Sequence, residues 1–421
     1  MDATRRREFI KMSKLRIKSL ANLGKNNKTK NDDPTIRPPI RLGSFIYAVE
    51  LGMGIFDPIP SHKTVHLGFD TASDLIWTQC EGCGNNCFRQ VDPLYPASKS
   101  ITYKEVPCHT ECPSGAKCEN NICKLETNYG DGAKVESVLA HESFTFETPT
   151  TPRLVDFILF GCGLNMQGFH QDDDPNNKIS GIFGMSYGAR SFHEQKKTVV
   201  NGKFQYCLQK KEYQDLPPML LRFGDDCIQP GKPSATPMFQ HQNKPYYYLD
   251  LRGIQVNKKD LEIPPNAFQI TPDGKGGTII DTGTSISLVT TSAYQALEKE
   301  VASSIESRNS NLERLDDASA RYEGFGLCYR RVREPTTLNL PWITWKFANN
   351  AIFVMNSDVT FEIYTKHDGQ VLVCLKIFEN SMEDGDGMTV LGSTQQVGHR
   401  ITYDIPNGQL LVANEDCNKG R

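Results

Sequence analysis

The chain has 421 residues, more than one hydrophobic core normally organises, so two domains or lobes are expected. Its 38% apolar and 23% charged residues exclude disordered and collagen-like classes, and no apolar run approaches the ~20 residues of a membrane-spanning helix. Charge is unevenly divided: residues 1–41 hold twelve Lys/Arg against four acids, a net +8, leaving −11 on the remainder of a chain whose total is −3.

The leader, 1–41, can therefore bind the acidic body electrostatically, and that contact weakens as carboxylates protonate. The competing reading is a nucleic-acid or nuclear-targeting arm. Thirteen cysteines argue against it, because such density belongs to an oxidising compartment. Met1 to Leu23 is basic and lacks the apolar h-region of a secretory signal, so no signal peptide is visible. The expectation is a chain cut from a longer precursor or exported unconventionally. The one Asn-x-Ser/Thr sequon, at Asn27, lies inside the leader.

Beyond Pro38-Pro39 the sequence breaks into short β-branched and aromatic runs separated by Gly, Pro, Asn and Asp. Strands are expected at Phe45–Leu51, Thr64–Phe69, Ser143–Phe146, Tyr246–Leu251, Thr278–Ile280 and Gln370–Phe378. One amphipathic helix is expected at Ser292–Ile305, with Leu297, Val301 and Ile305 on one face. Seven cysteines crowd between Cys80 and Cys123. Disulfides are the reading preferred for them. A zinc site at Cys80-x2-Cys83-x3-Cys87 lacks a matching second cluster. Asp172-Asp173-Asp174 reads as a solvated loop with at most one calcium contact, and His399 and the other histidines are scattered.

The most informative feature is an internal repeat. Phe69-Asp70-Thr71-Ala72-Ser73 recurs 211 positions later as Ile280-Asp281-Thr282-Gly283-Thr284. An apolar-apolar-Gly triplet trails each copy at nearly the same distance: Ile182-Phe183-Gly184 after 112 residues, Val390-Leu391-Gly392 after 109. Two similar lobes, each lending one Asp-Thr turn, account for all four segments. A single Asp-Thr turn is ordinarily only a turn. Two brought together by pseudo-twofold symmetry place carboxylates side by side, where both cannot comfortably ionise and one proton is shared. The ionised member can then activate water while the protonated one polarises a carbonyl. That chemistry hydrolyses an amide without metal or cofactor.

At these residues the sequence resembles the pepsin family of aspartic proteases, most closely its plant, nepenthesin-like branch, over nearly all of Tyr47 to Cys417. Asp70 through Cys80, reading DTASDLIWTQC, is close to the branch's signature around its first catalytic Asp. Asp281-Thr282-Gly283-Thr284-Ser285 resembles the second, and Tyr129-Gly130-Asp131-Gly132 the tip of the flap. Phe160-Gly161-Cys162-Gly163 and Phe204-Gln205-Tyr206-Cys207-Leu208 are further landmarks. The resemblance implies a mainly β, bilobal fold with a cleft between pseudo-twofold-related lobes, and an endopeptidase acting on polypeptides at acidic pH. It implies Asp70 and Asp281 as catalytic dyad, with Ser73 and Thr284 bonding the outer carboxylate oxygens. Tyr129 and Gly130 cover the substrate, Trp77 steadies the Tyr129 hydroxyl, and Thr282 and Gly283 support the second turn.

It also implies that the leader is an inhibitory prosegment, that the protein is a monomer, and that it is extracellular or vacuolar. The implied disulfides are Cys80–Cys83, Cys87–Cys162, Cys108–Cys123, Cys112–Cys118, Cys207–Cys417 and Cys328–Cys374, leaving Cys227 over. The expected organisation is leader 1–41, first lobe 42–212, connection 213–245 and second lobe 246–421. Two positions depart from the family pattern. Ala72 stands where a glycine is usual, which strains the turn if it needs a positive φ. Ser137 replaces a glycine in the flap. Neither change removes a catalytic group, so the alternative, a catalytically weak or inactive binding or inhibitor protein of the same fold, is the second expectation.

Overall fold

The computed structural model describes residues 35–419, apart from 44–45, 59–60, 109–111, 149–151, 170–173, 211–215, 229–230, 242–243, 323, 334–336 and 382–386. Most of the leader, with the Asn27 sequon, and Asp172 and Asp173 lie outside these residues. Among those described, strands form four sheets of eleven, ten, four and four members. The eleven-stranded sheet is built from residues 39–220 and the two small sheets from residues 251–375. The ten-stranded sheet draws on residues 203–414. The protein is therefore mainly β and bilobal. No helix among the described residues is long and apolar enough to cross a membrane.

The repeat is a repeat of topology. In the first lobe, strand Ser61–Asp70 runs parallel to Ile179–Gly184, with Asp70 opposite Gly184. Ile179–Gly184 pairs antiparallel with Trp77–Gln79, which in turn runs parallel to Arg153–Gln167. In the second lobe, Thr278–Ile280 runs parallel to Thr389–Leu391, which pairs antiparallel with Ser287–Thr290, itself parallel to Ile377–Asn380. The trailing triplets are explained by close passage of backbone. A Cβ on Gly184 would stand 2.6 Å from the Asp74 carbonyl oxygen, and one on Gly392 would stand 2.6 Å from the Ile286 carbonyl carbon. Each glycine thus lets the chain leaving an Asp turn cross the strand beside it.

The expected strands are found with shifted ends. Thr278–Ile280 is a strand as read, Thr64–Phe69 lies within Ser61–Asp70, and Gln370–Phe378 is split into Val371–Leu375 and Ile377–Asn380. The helix is longer than expected, Thr291–Arg308, and buries Leu297, Val301 and Ile305 against the second lobe. Its face follows from the four-residue spacing. Strand Pro39–Leu42 belongs to the first sheet, and residues of 213–245 supply strands to both large sheets.

Six disulfides are present, and four of the pairings differ from those implied by the resemblance. The bonds are Cys80–Cys162, Cys83–Cys87, Cys108–Cys118 and Cys112–Cys123, together with Cys207–Cys417 and Cys328–Cys374. Sheet register is the reason. Thr78 lies opposite Cys162, and the Cys80 N–H donates to the Gly163 carbonyl at 3.1 Å, which brings Cys80 beside Cys162. Cys83 and Cys87 then bracket the single turn Gly84–Asn86. Cys118 and Cys123 face each other across a hairpin, and each bonds outward to the loop carrying Cys108 and Cys112. Cys227 is unpaired, and burial pushes its thiol up to about 12. Peptide mapping without reduction is expected to recover a Cys80–Cys162 link and one native thiol slow to alkylate at pH 8. A peptide joining Cys80 to Cys83 would contradict this register.

Candidate active site

Both aspartates sit at strand ends, where the backbone is fixed before the side chain begins. Asp70 ends the strand Ser61–Asp70, and Asp281 follows Thr278–Ile280. They are 7% and 5% exposed. The Asp70 Oδ1 accepts the N–H groups of Ala72 (2.8 Å) and Ser73 (2.9 Å), and its Oδ2 accepts the Ser73 hydroxyl at 2.5 Å. The Asp281 Oδ1 accepts the Gly283 N–H at 2.9 Å, and its Oδ2 accepts the Thr284 hydroxyl at 2.6 Å. Two carboxyls thus each receive a backbone N–H and a hydroxyl from equivalent positions of the two copies of the repeat.

The residues between them lock the turns together. The Thr71 N–H donates to Thr282 Oγ1 (3.2 Å), and the Thr282 N–H donates to Thr71 Oγ1 (3.0 Å). The Thr282 hydroxyl donates to the Phe69 carbonyl at 2.6 Å. Thr71 Oγ1 also lies 3.4 Å from Asp281 Oδ1. Both threonines are fully buried, so each unmade bond would leave a desolvated polar group. Thr71 was not singled out in the sequence, although the repeat makes it the partner of Thr282.

Burial raises both carboxyls above the usual range. For Asp70 desolvation is the larger cause and the Asp281 charge the second, and together they hold it at about 7 against the donors of Ala72 and Ser73. Asp281 is raised by desolvation and eased by Thr284 and Gly283.

Over Asp70 lies the hairpin formed by Ile122–Asn128 and Lys134–Phe146. Gly132, at φ +88°, makes its turn possible. Tyr129 starts that turn, and its hydroxyl accepts the Trp77 indole N–H at 2.6 Å. Its phenol is pushed up by burial and by Asp70, so it stays neutral. Gly130 is exposed with open space where a side chain would be. Phe169 packs edge-on to Tyr129 and Trp77 and touches Phe88, whose backbone is held by both ends of the Gln79 amide. Ser137 is buried in the hairpin against Gly161, its hydroxyl without a hydrogen-bond partner among the described residues.

Beneath Asp281 is a buried layer of which the sequence landmarks included only Tyr206. The Gln396 amide donates to the carbonyls of Asp281 (3.0 Å) and Leu391 (2.8 Å) and accepts the Tyr206 hydroxyl at 2.6 Å. Tyr206 in turn meets Tyr403 at 3.2 Å and stands edge-on to Phe69. The departure at Ala72 carries no conformational strain, since neither Ala72 nor Gly283 has a positive φ.

Among the described residues one cluster has metal-ligating spacing. The sulfurs of Cys108, Cys112 and Cys123 lie within 4.8 Å of one another, but all three are in disulfides. So are Cys80, Cys83 and Cys87, and a disulfide offers no thiolate to zinc.

Sequence-family models described as the N-terminal and C-terminal parts of xylanase inhibitors match residues 47–225 and 246–413. Aspartic proteinase nepenthesin-2 of Nepenthes gracilis is 30% identical over 388 residues, 91% of this chain and 80% of its own. Nepenthesin-1 from the same plant is 31% identical over 83% of this chain and 74% of its own. The crystal structure of edgp superposes with a TM-score of 0.70 at 16% identity, covering 93% of this chain and 97% of that one, a likeness of fold. Similarity of this extent, joined to the duplicated Asp-Thr turns, means that the chain belongs to the plant pepsin-like aspartic protease family.

Proposed function

We propose that the protein is an aspartic endopeptidase in which Asp70 and Asp281 share one proton and activate water against a peptide bond. The observation that carries this reading is the matched donor set around two buried carboxyls on turns interlocked by Thr71 and Thr282. The ionised carboxylate takes a proton from a water held between the two groups, and oxygen adds to the peptide carbonyl. The protonated carboxyl hydrogen-bonds the oxyanion as it forms. Collapse of the tetrahedral species passes a proton to the leaving amine, and no covalent intermediate forms. Tyr129, held by Trp77, closes over the bond being cut. Substrates are polypeptides, in line with the proteinase names of the relatives.

The xylanase-inhibitor description of the matching models raises the binding-protein alternative. Against it stand both aspartates, both hydroxyl donors, the threonine interlock and the flap tyrosine. In the same reading residues 1–41 are the end of a prosegment, 42–212 and 246–421 form the lobes with 213–245 between them, and the mature enzyme is a monomer. Its disulfides suit an extracellular or vacuolar setting.

Denatured protein substrate incubated with the purified chain is expected to be cleaved between about pH 2.5 and 6, with a bell-shaped dependence on pH. Asp281→Asn is expected to lower kcat by roughly 10²-fold or more with little change in KM. Absence of cleavage over that range, with Asp281→Asn indistinguishable from the parent, would overturn the enzyme reading.

The dyad also predicts a stability trend. A carboxyl raised to about 7 in the fold favours the folded state while protonated. That contribution is full below the unfolded value near ~3.9 and is lost as pH climbs to about 7. Asp70→Asn cannot ionise, so its Tm is expected to exceed the parent's by about 2–4 °C at pH 7.5 and to match it near pH 3. Equal melting temperatures at both pH values would show that Asp70 is not held up by the fold.

A further inference from the structure

The two Asp-Thr turns supply equivalent hydroxyl donors from Ser73 and Thr284, but they differ at the preceding residue, Ala72 in one and Gly283 in the other. In the second turn Gly283 lies against Asp70. A Cβ placed on it would stand 2.5 Å from the Asp70 Cγ and 2.7 and 2.8 Å from Oδ2 and Oδ1. The pseudo-twofold that exchanges Thr71 with Thr282 also carries Gly283 onto Ala72 and Asp70 onto Asp281. The first turn therefore holds a methyl where the second holds only hydrogen. Because a real Cβ does not stand 2.5 Å from a carboxyl carbon, Asp281 must lie further from Ala72 than Asp70 lies from Gly283. Both turns give the same backbone donation to their own aspartate, at 2.8 and 2.9 Å, and neither has a positive φ. The difference is the methyl itself and not the conformation.

We propose that the Ala72 methyl lies against the Asp281 carboxyl, keeps solvent from that side of the dyad, and sets the enzyme's working pH higher than a two-glycine dyad would have. This rests on the reading of Asp70 and Asp281 as the catalytic pair. A methyl that replaces water beside a carboxylate removes hydration from the charged form and none from the neutral form. Asp70 faces no such group, because its neighbour is Gly283. The two carboxyls are thereby made unequal before any substrate arrives.

The titratable groups facing the pair from other elements are tyrosines. Tyr129 reaches Asp70 from the flap, and Tyr206 and Tyr403 approach Asp281 from beneath. Burial keeps all three neutral throughout the acid range. The remaining contacts are the hydroxyls of Ser73, Thr71 and Thr284. The charge each carboxyl meets over acid pH is thus chiefly the other's.

The test compares the full chain with Ala72→Gly and Ala72→Ser, using one internally quenched peptide from pH 2.5 to 7.5. Melting curves accompany each variant to show that it is folded. Ala72→Gly is expected to move the kcat/KM bell toward acid by about half a pH unit or more, because solvent returns to Asp281. Ala72→Ser, whose hydroxyl can donate to the carboxylate, is expected to move it the same way. An unmoved bell, a shift toward alkali, or a change of rate alone would overturn the inference while leaving the protease reading intact. If all three proteins melt cooperatively and none cleaves at any pH, the protease reading fails and the inference falls with it.

Discussion

Everything at the centre of this protein depends on two fully buried threonines that trade hydrogen bonds across the join between lobes. The exchange fixes the separation and orientation of two turns whose residues are more than two hundred positions apart. It also removes the backbone N–H groups of Thr71 and Thr282 from competition, so that the next N–H in each turn is free to point at a carboxylate. A pair of like charges is then assembled in a site nearly closed to water. Such a pair is unfavourable unless it keeps a proton, and keeping that proton is what makes it useful.

Support comes from above and below by different means. The flap places a neutral phenol over Asp70 through an indole donor and an aromatic cluster that reaches into the disulfide-rich insertion. That insertion is therefore more than a staple, because Phe88 within it touches Phe169, which packs on Tyr129. Below, Gln396 satisfies the carbonyl of Asp281 and is itself held by Tyr206, which meets Tyr403, in a buried layer. Unpaired, any one of these groups would be costly in so dry a place, which favours a rigid arrangement over an adaptable one.

Much of this was legible in the sequence, because duplication writes the same words twice. The Asp-Thr turns, the trailing glycines and the donors Ser73 and Thr284 could be read from pattern alone or from resemblance. What was not legible is set by long-range register. Cys80 lies three residues from Cys83 and bonds 82 residues away, because a parallel strand pairing puts Cys162 beside it. Gln396 bears no motif; only the fold shows that its amide serves Asp281. The backbone at Ala72 was equally open, since alanine is costly at positive φ and tolerated at the negative φ found here.

Strand Lys203–Cys207 has a consequence for biosynthesis. It leaves the first lobe and pairs with His399–Asp404, Tyr206 meets Tyr403, and Cys207 is bonded to Cys417. The floor of the site is therefore completed by residues that follow this strand by about two hundred positions. A nascent chain can fold much of its first sheet early, yet it holds only half a dyad and an unpaired strand until the second lobe has been made. The catalyst is silent while it is being made, and a truncated product lacking its C-terminal strands is left without a finished site.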